Sequence, residues 1–133
     1  MTHVPAVFAD ADPFDLPEWL GELDVVWAAD SGLRTGFQVA GRLTAGDLTQ
    51  VCDLLAVDEA YPVSVATDDV RTRAHRAWRH RQVLVLVVDD RLTLAVPGRE
   101  FTADLVLEAL ARLAKAVGAS PERYSALLRI GGA

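Results

Sequence analysis

The stretch from Val83 to Ala119, "VLVLVVDDRLTLAVPGREFTADLVLEALARLAKAVGA", constrains the fold more than any other part of the chain. Val83 to Val88 is apolar on both faces, which predicts a strand lying centrally in a sheet and covered on both sides. Asp89-Asp90 is a tight-turn signal, and "RLTLAV" then places Leu92, Leu94 and Val96 on one face of a returning strand. Pro97-Gly98 ends it. Thr102 caps a long helix in which Val106, Leu110, Leu113 and Val117 form one stripe, and Gly118 stands just past its end. Leu105, Leu107, Ala109, Ala111, Ala114 and Ala116 extend the apolar surface well round from that stripe. A helix apolar on more than one side needs two layers around it. The expected second layer is a final helix beginning at Ser120-Pro121 or a second copy of the chain, and the homodimer is preferred.

Upstream, residues 1–15 hold two prolines and no sustained period, and are expected to form an acidic, extended arm preceding one domain over 16–133. Asp15 is placed to cap a short helix with Pro17 in its first turn and Trp19, Leu20 and Leu23 on one side. "DVVWAAD" (24–30) reads as a strand ending in an Asp30-Ser31-Gly32 turn. Phe37, Val39, Gly41 and Leu43 alternate with polar or small residues as a second strand, and the two are expected to pair as a hairpin. "TAGD" at Thr44–Asp47 resembles a capping box, and Leu48, Val51, Cys52 and Leu55 recur at helical spacing, so a helix is expected over 44–57 with Cys52 on its core face. "YPVSVAT" (61–67) reads as a short strand. Asp68-Asp69 are expected to cap a helix over 70–82. With two hairpins and no strict strand–helix alternation, the expected class is α+β: one domain, an antiparallel sheet of about five strands, helices mainly on one face.

Composition matters chiefly through charge. The 133-residue chain is 51% hydrophobic and 24% charged, a globular balance, with a formal net charge of −6. That charge disfavours nucleic acid, whose non-specific binding needs a net basic surface. The imbalance is local: residues 1–33 carry seven acids and no Lys or Arg, whereas all 13 Lys and Arg lie in 34–133. One cysteine excludes an intramolecular disulfide and any cluster of cysteine metal ligands. No basic-then-apolar leader opens the sequence, and no run approaches the ~20 residues of a membrane span, so a cytoplasmic protein with no membrane partner is expected.

"VRTRAHRAWRHRQ" (70–82) concentrates five arginines, two histidines and Trp78. As a helix it turns Val70, Ala74, Ala77, Trp78 and Arg81 to one side and Arg71, Arg73, His75, Arg76, Arg79 and His80 to the rest. Arg71, His75, Arg76, Trp78 and Arg79 are the candidate residues for holding an acidic partner or a small anion; the acidic arm is a third taker for those arginines. No aromatic interleaving supports base stacking. His75 and His80 are five residues apart, a poor spacing for shared metal ligation, and no metal, cofactor or catalytic residue is assigned. "AVFA" followed by Asp10-Ala11-Asp12 resembles the nucleophile loop of haloacid-dehalogenase-like phosphatases. That resemblance implies a parallel α/β domain with further Lys and Asp motifs, which the sequence lacks, and a solvated arm is preferred.

The hairpin-then-helix order of 83–117 resembles the second half of the type III secretion chaperone-like domain, also found in stand-alone bacterial proteins described as sensory regulators. The helix at 70–82 departs from that pattern by interrupting strands that would run consecutively. The resemblance implies a protein-binding, dimeric module. The sequence therefore favours a non-catalytic interaction or regulatory module over the alternative, a binder of, or enzyme acting on, a small anionic ligand through the 70–82 helix.

Overall fold

The computed structural model describes residues 7–30, 37–58 and 66–119. The expected turn at 30–32, most of the strand at 61–67 and the helix after Ser120 lie outside the described residues. The architecture is α+β: eight strands in two sheets, mostly antiparallel, with three α-helices among the described residues.

The larger sheet contains β1 (Phe8–Asp10), β7 (Leu84–Val88), β8 (Arg91–Val96), β6 (Asp53–Ala56) and β3 (Gln38–Val39), in that spatial order. The β7–β8 hairpin is as the sequence reads. Asp89 and Asp90 both take positive φ (50° and 64°), the backbone of a type I′ turn, and the short side chain of Asp tolerates it. β8 rather than β7 is the central strand. It runs parallel to β6, because the chain leaves β6, crosses by a helix, descends β7 and returns between the two. Part of the expected arm is a strand here: β1 pairs antiparallel with β7, Phe8 opposite Val88 and Asp10 opposite Leu86.

The segment read as a helix over 44–57 is a hairpin, and the expectation is corrected. β4 (Gly41–Ala45) and β5 (Leu48–Val51) pair across Gly46-Asp47, and β2 (Val26–Ala29) completes a three-stranded sheet on β4. Gly46, at φ +61°, supplies the left-handed residue that a two-residue hairpin loop needs. The pairing of β4 with β5 and of β3 with β6 keeps one unbroken register, Ala45 opposite Leu48 through Gln38 opposite Leu55. A single long hairpin therefore starts in the small sheet and ends in the large one. It bends at Ala40 and Cys52, where the Cys52 amide still bonds the Gly41 carbonyl at 3.0 Å.

The bend is filled by Trp27. Its indole lies against Gly41 so closely that a Cβ there would sit 2.5 Å from Cζ2, and its Nε1 donates to the Cys52 carbonyl at 2.9 Å. Asp53, 2% exposed, is the one buried carboxylate of the described residues. It accepts the Gly41 amide at 3.1 Å and both Nε and Nη2 of Arg91, at 2.6 and 2.9 Å. Asp30 answers Arg42 at 2.8 Å and reaches Arg91 at 3.6 Å, extending the charge chain to the small sheet. Cys52 is a core cysteine, though on a strand corner and not on a helix; burial pushes its thiol well above the ordinary range.

Two apolar clusters cover the two faces of the large sheet. One joins Leu54, Val85, Leu92, Leu94 and Val96 to the small sheet, to α1 (Trp19–Glu22) and to α3 (Ala103–Ala116). The other joins Leu55, Leu86, Val88 and Ala95 to Val70 and Ala74 of α2 (Asp68–Arg79). α3 is capped by Thr102, whose hydroxyl accepts the Leu105 amide, and Gly118 follows it at φ +85°. Part of its second layer is the N-terminal segment: a Cβ on Gly21 would stand 3.0 Å from the Val117 carbonyl. That segment opens with a 3-10 turn, Pro13–Asp15, capped by Asp12, and the cap expected from Asp15 on the following helix is absent: α1 starts after Glu18 with no side-chain cap. No helix among the described residues is long and apolar enough to cross a membrane.

Candidate functional site

The basic stretch folds as α2, a helix seated on the sheet by Val70 and Ala74, with Trp78 half-buried at its far end. Thr67 is the N-cap, its hydroxyl accepting the Val70 amide at 3.3 Å. Asp68 and Asp69 occupy the first turn instead of the expected cap position, where negative charge opposes the positive end of the helix dipole. Arg76 and Arg79 stand in the last turn, where positive charge is favoured.

Each flank of α2 borders a concavity. The outer one, about 600 Å³, is lined by Asp58, Arg71, Thr72, His75, Arg76 and Arg79. Four of the five sequence-chosen residues therefore meet in one place. Trp78 does not join them. Its ring faces inward, covered by the Arg112 guanidinium 3.4 Å from the ring centroid. Arg112 also donates to the carbonyls of Trp78 (2.7 Å) and Gln82 (3.2 Å), closing the C-terminal end of α2, and it pairs with Glu108 at 2.8 Å. The sequence reading missed this residue, because its target is backbone oxygen, which carries no signature.

Within the outer concavity the bases differ in their partners. Arg71 is held by Asp68 at 2.6 Å. His75 Nε2 lies 2.8 Å from Asp58 Oδ1, and the other oxygen of Asp58 accepts the Gly98 amide at 2.8 Å. Asp58 thus fixes the imidazole to the loop that ends β8, a second contact that spacing could not reveal. Arg76 and Arg79 are exposed and have no carboxylate partner among the described residues.

Among the described residues one ion pair joins the acidic N-terminal segment to the helix, on the opposite flank. Arg73 binds Asp10 of β1 and also Asp69 at 3.1 Å, and the hydrogen bond it donates to Asp10 raises its guanidinium above the ordinary arginine value. Both partners are partly exposed, so the pair orients the edge strand more than it holds the fold.

The site presents cations, a histidine clamped by a carboxylate, and the exposed Thr72. The described residues contain no group of three or more His, Cys, Asp or Glu able to hold a metal ion. The lone thiol is buried away from the basic helix. What the arrangement can do chemically is bind negative charge. No protein-family model, no curated protein and no solved structure matches the chain.

Proposed function

We propose that the protein is a non-catalytic interaction module that holds an acidic segment of a partner protein against the outer face of α2. One observation carries the reading: Arg76 and Arg79 point into solvent beside Arg71 and His75 without a carboxylate partner among the described residues, while Arg42, Arg73, Arg91 and Arg112 are all ion-paired. Arg71 and His75 have their own carboxylates, Asp68 and Asp58, but Arg76 and Arg79 leave two cations on that face with no internal counter-charge, which is complementary to an acidic chain. The β7–β8–α3 order, which resembles the type III secretion chaperone-like domain, also favours an interaction role but carries less of the argument.

Self-association is the weaker branch of this proposal. The large exposed apolar side chains of the described residues, Val7, Phe14, Leu23, Leu48 and Leu107, come from five separate segments and do not extend one helix face. The concavity itself favours a second reading, a small polyanion seated among the same arginines.

The test is fluorescence anisotropy of a labelled glutamate-rich peptide. Wild-type protein binds it at low salt and releases it as salt screens the charges. The Arg71→Ala/Arg76→Ala/Arg79→Ala variant binds at least about tenfold more weakly, on the scale of a lost charge-assisted hydrogen bond. Equal binding by that variant removes the proposal. Pyrophosphate that displaces the peptide and raises thermal stability by itself supports the second reading instead.

A further inference from the structure

The inner flank of α2 borders a different surface. There β1, the Pro13–Asp15 turn, the end of α2 and the C-terminal half of α3 enclose a cleft of about 680 Å³. That volume falls within the ~300–1,000 Å³ typical of small-molecule sites. Its floor is apolar, built from Ala77, Val83, Leu84, Val85 and Ala116, and Phe14, 81% exposed, stands at its edge.

The polar lining is one-sided. Arg73, His80, Arg81, Arg112 and Lys115 border the cleft against a single acid, Asp10. Asp10 is bound to Arg73, and Arg112 is engaged by Glu108, the Trp78 ring and the end of α2. Arg81 and Lys115 have no carboxylate partner among the described residues. They also border together an adjoining concavity of about 510 Å³, so both stand on the ridge between the two spaces.

Arg81 adds a second argument. It sits at φ +61°, in the left-handed position that closes α2, with the Gln82 amide bonded to the Ala77 carbonyl at 2.8 Å. Glycine is the usual residue at that place, because a Cβ is strained there. An arginine that gains no internal partner in exchange points to a use for its side chain outside the fold.

We infer that this cleft binds an amphipathic carboxylate, the apolar body lying on the Ala77–Val83–Val85–Ala116 floor and the head group taken by Arg81 and Lys115. The apolar floor alone would take any hydrophobic molecule, and the cations alone would take any anion. Their adjacency selects a ligand that is both. This surface is distinct from the outer face of α2 and shares none of its residues, so the two proposals stand or fall separately.

The test uses the full chain and isothermal titration with 2-naphthoate, 2-naphthol as an uncharged analogue with the same ring, and inorganic phosphate. The expected result is measurable binding of 2-naphthoate, with 2-naphthol and phosphate each about tenfold weaker or undetected. Arg81→Gly and Lys115→Gln each weaken 2-naphthoate about tenfold, the scale of one charge-assisted hydrogen bond. Arg81→Gly melts no lower than wild type, since glycine suits the backbone it inherits. The triple arginine variant of the outer face binds 2-naphthoate as wild type does. No heat at millimolar 2-naphthoate, 2-naphthol or phosphate binding as tightly as 2-naphthoate, or affinity unchanged in both Arg81→Gly and Lys115→Gln overturns the inference.

Discussion

Arginine serves two different ends in this molecule, and the contrast lies between the strand corner and the outer face of α2. At the corner, Arg91 grips the buried Asp53 through two nitrogens and leans on Asp30, which also holds Arg42. Donating to Asp53 raises the Arg91 guanidinium above its ordinary value. On α2, Arg76 and Arg79 are exposed and unclaimed among the described residues. A paired arginine beside a buried carboxylate supports the fold; an unpaired arginine in water leaves its charge available to something else. Counting arginines would miss this. The distinction rests on where the carboxylates fall.

The largest expected effect is at the corner. Arg91→Ala leaves Asp53 without its cation and should destabilise by about 2–4 kcal/mol, less than for a fully buried pair because the Arg91 side chain is part-exposed, read from urea unfolding. A loss under about 1 kcal/mol would show that water satisfies Asp53, and the contrast would collapse. Next comes Gly41→Ala. Its Cβ meets the Trp27 ring, so the bend must open, costing about 1–3 kcal/mol and altering tryptophan fluorescence. Thr67→Ala removes the α2 cap and should cost about 1 kcal/mol in the same unfolding assay. Arg76→Ala/Arg79→Ala should change stability by no more than about 0.5 kcal/mol while weakening the acidic peptide. If that pair destabilises as much as Arg91→Ala, the outer face is structural after all. Last, Cys52 should resist an aromatic disulfide reagent in native protein and react promptly in urea, because its thiol is fully buried and its ionisation suppressed.

The legible part of the fold was the part whose signals are local. The β7–β8 hairpin, α3 with its Thr102 cap, and the apolar seat of α2 all follow from turn residues and spacing within about twenty positions. The failure at 44–57 has a specific cause. Leu48, Val51, Cys52 and Leu55 do stand at helical spacing, but they sit on a strand pair whose bend at Cys52 shifts the alternation by passing from one sheet to another. Gly46-Asp47, read as part of a cap, was the turn. At the candidate site the cluster Arg71, His75, Arg76, Arg79 was readable because helix periodicity alone brings it together. Asp58 was not, since it approaches His75 from seventeen residues away through tertiary structure. Arg112 and Arg81 were missed for a related reason: one binds backbone carbonyls, and the other is conspicuous only through its backbone angle.

The long bent hairpin has a consequence for how the molecule comes apart. Because the same two chain segments run through both sheets in one register, neither sheet can be peeled away without breaking pairs in the other. Partial opening has no natural seam there. Amide exchange in β3 through β6 should accordingly proceed by a single event of near-global free energy, with the short edge strand β1 as the segment that frays first.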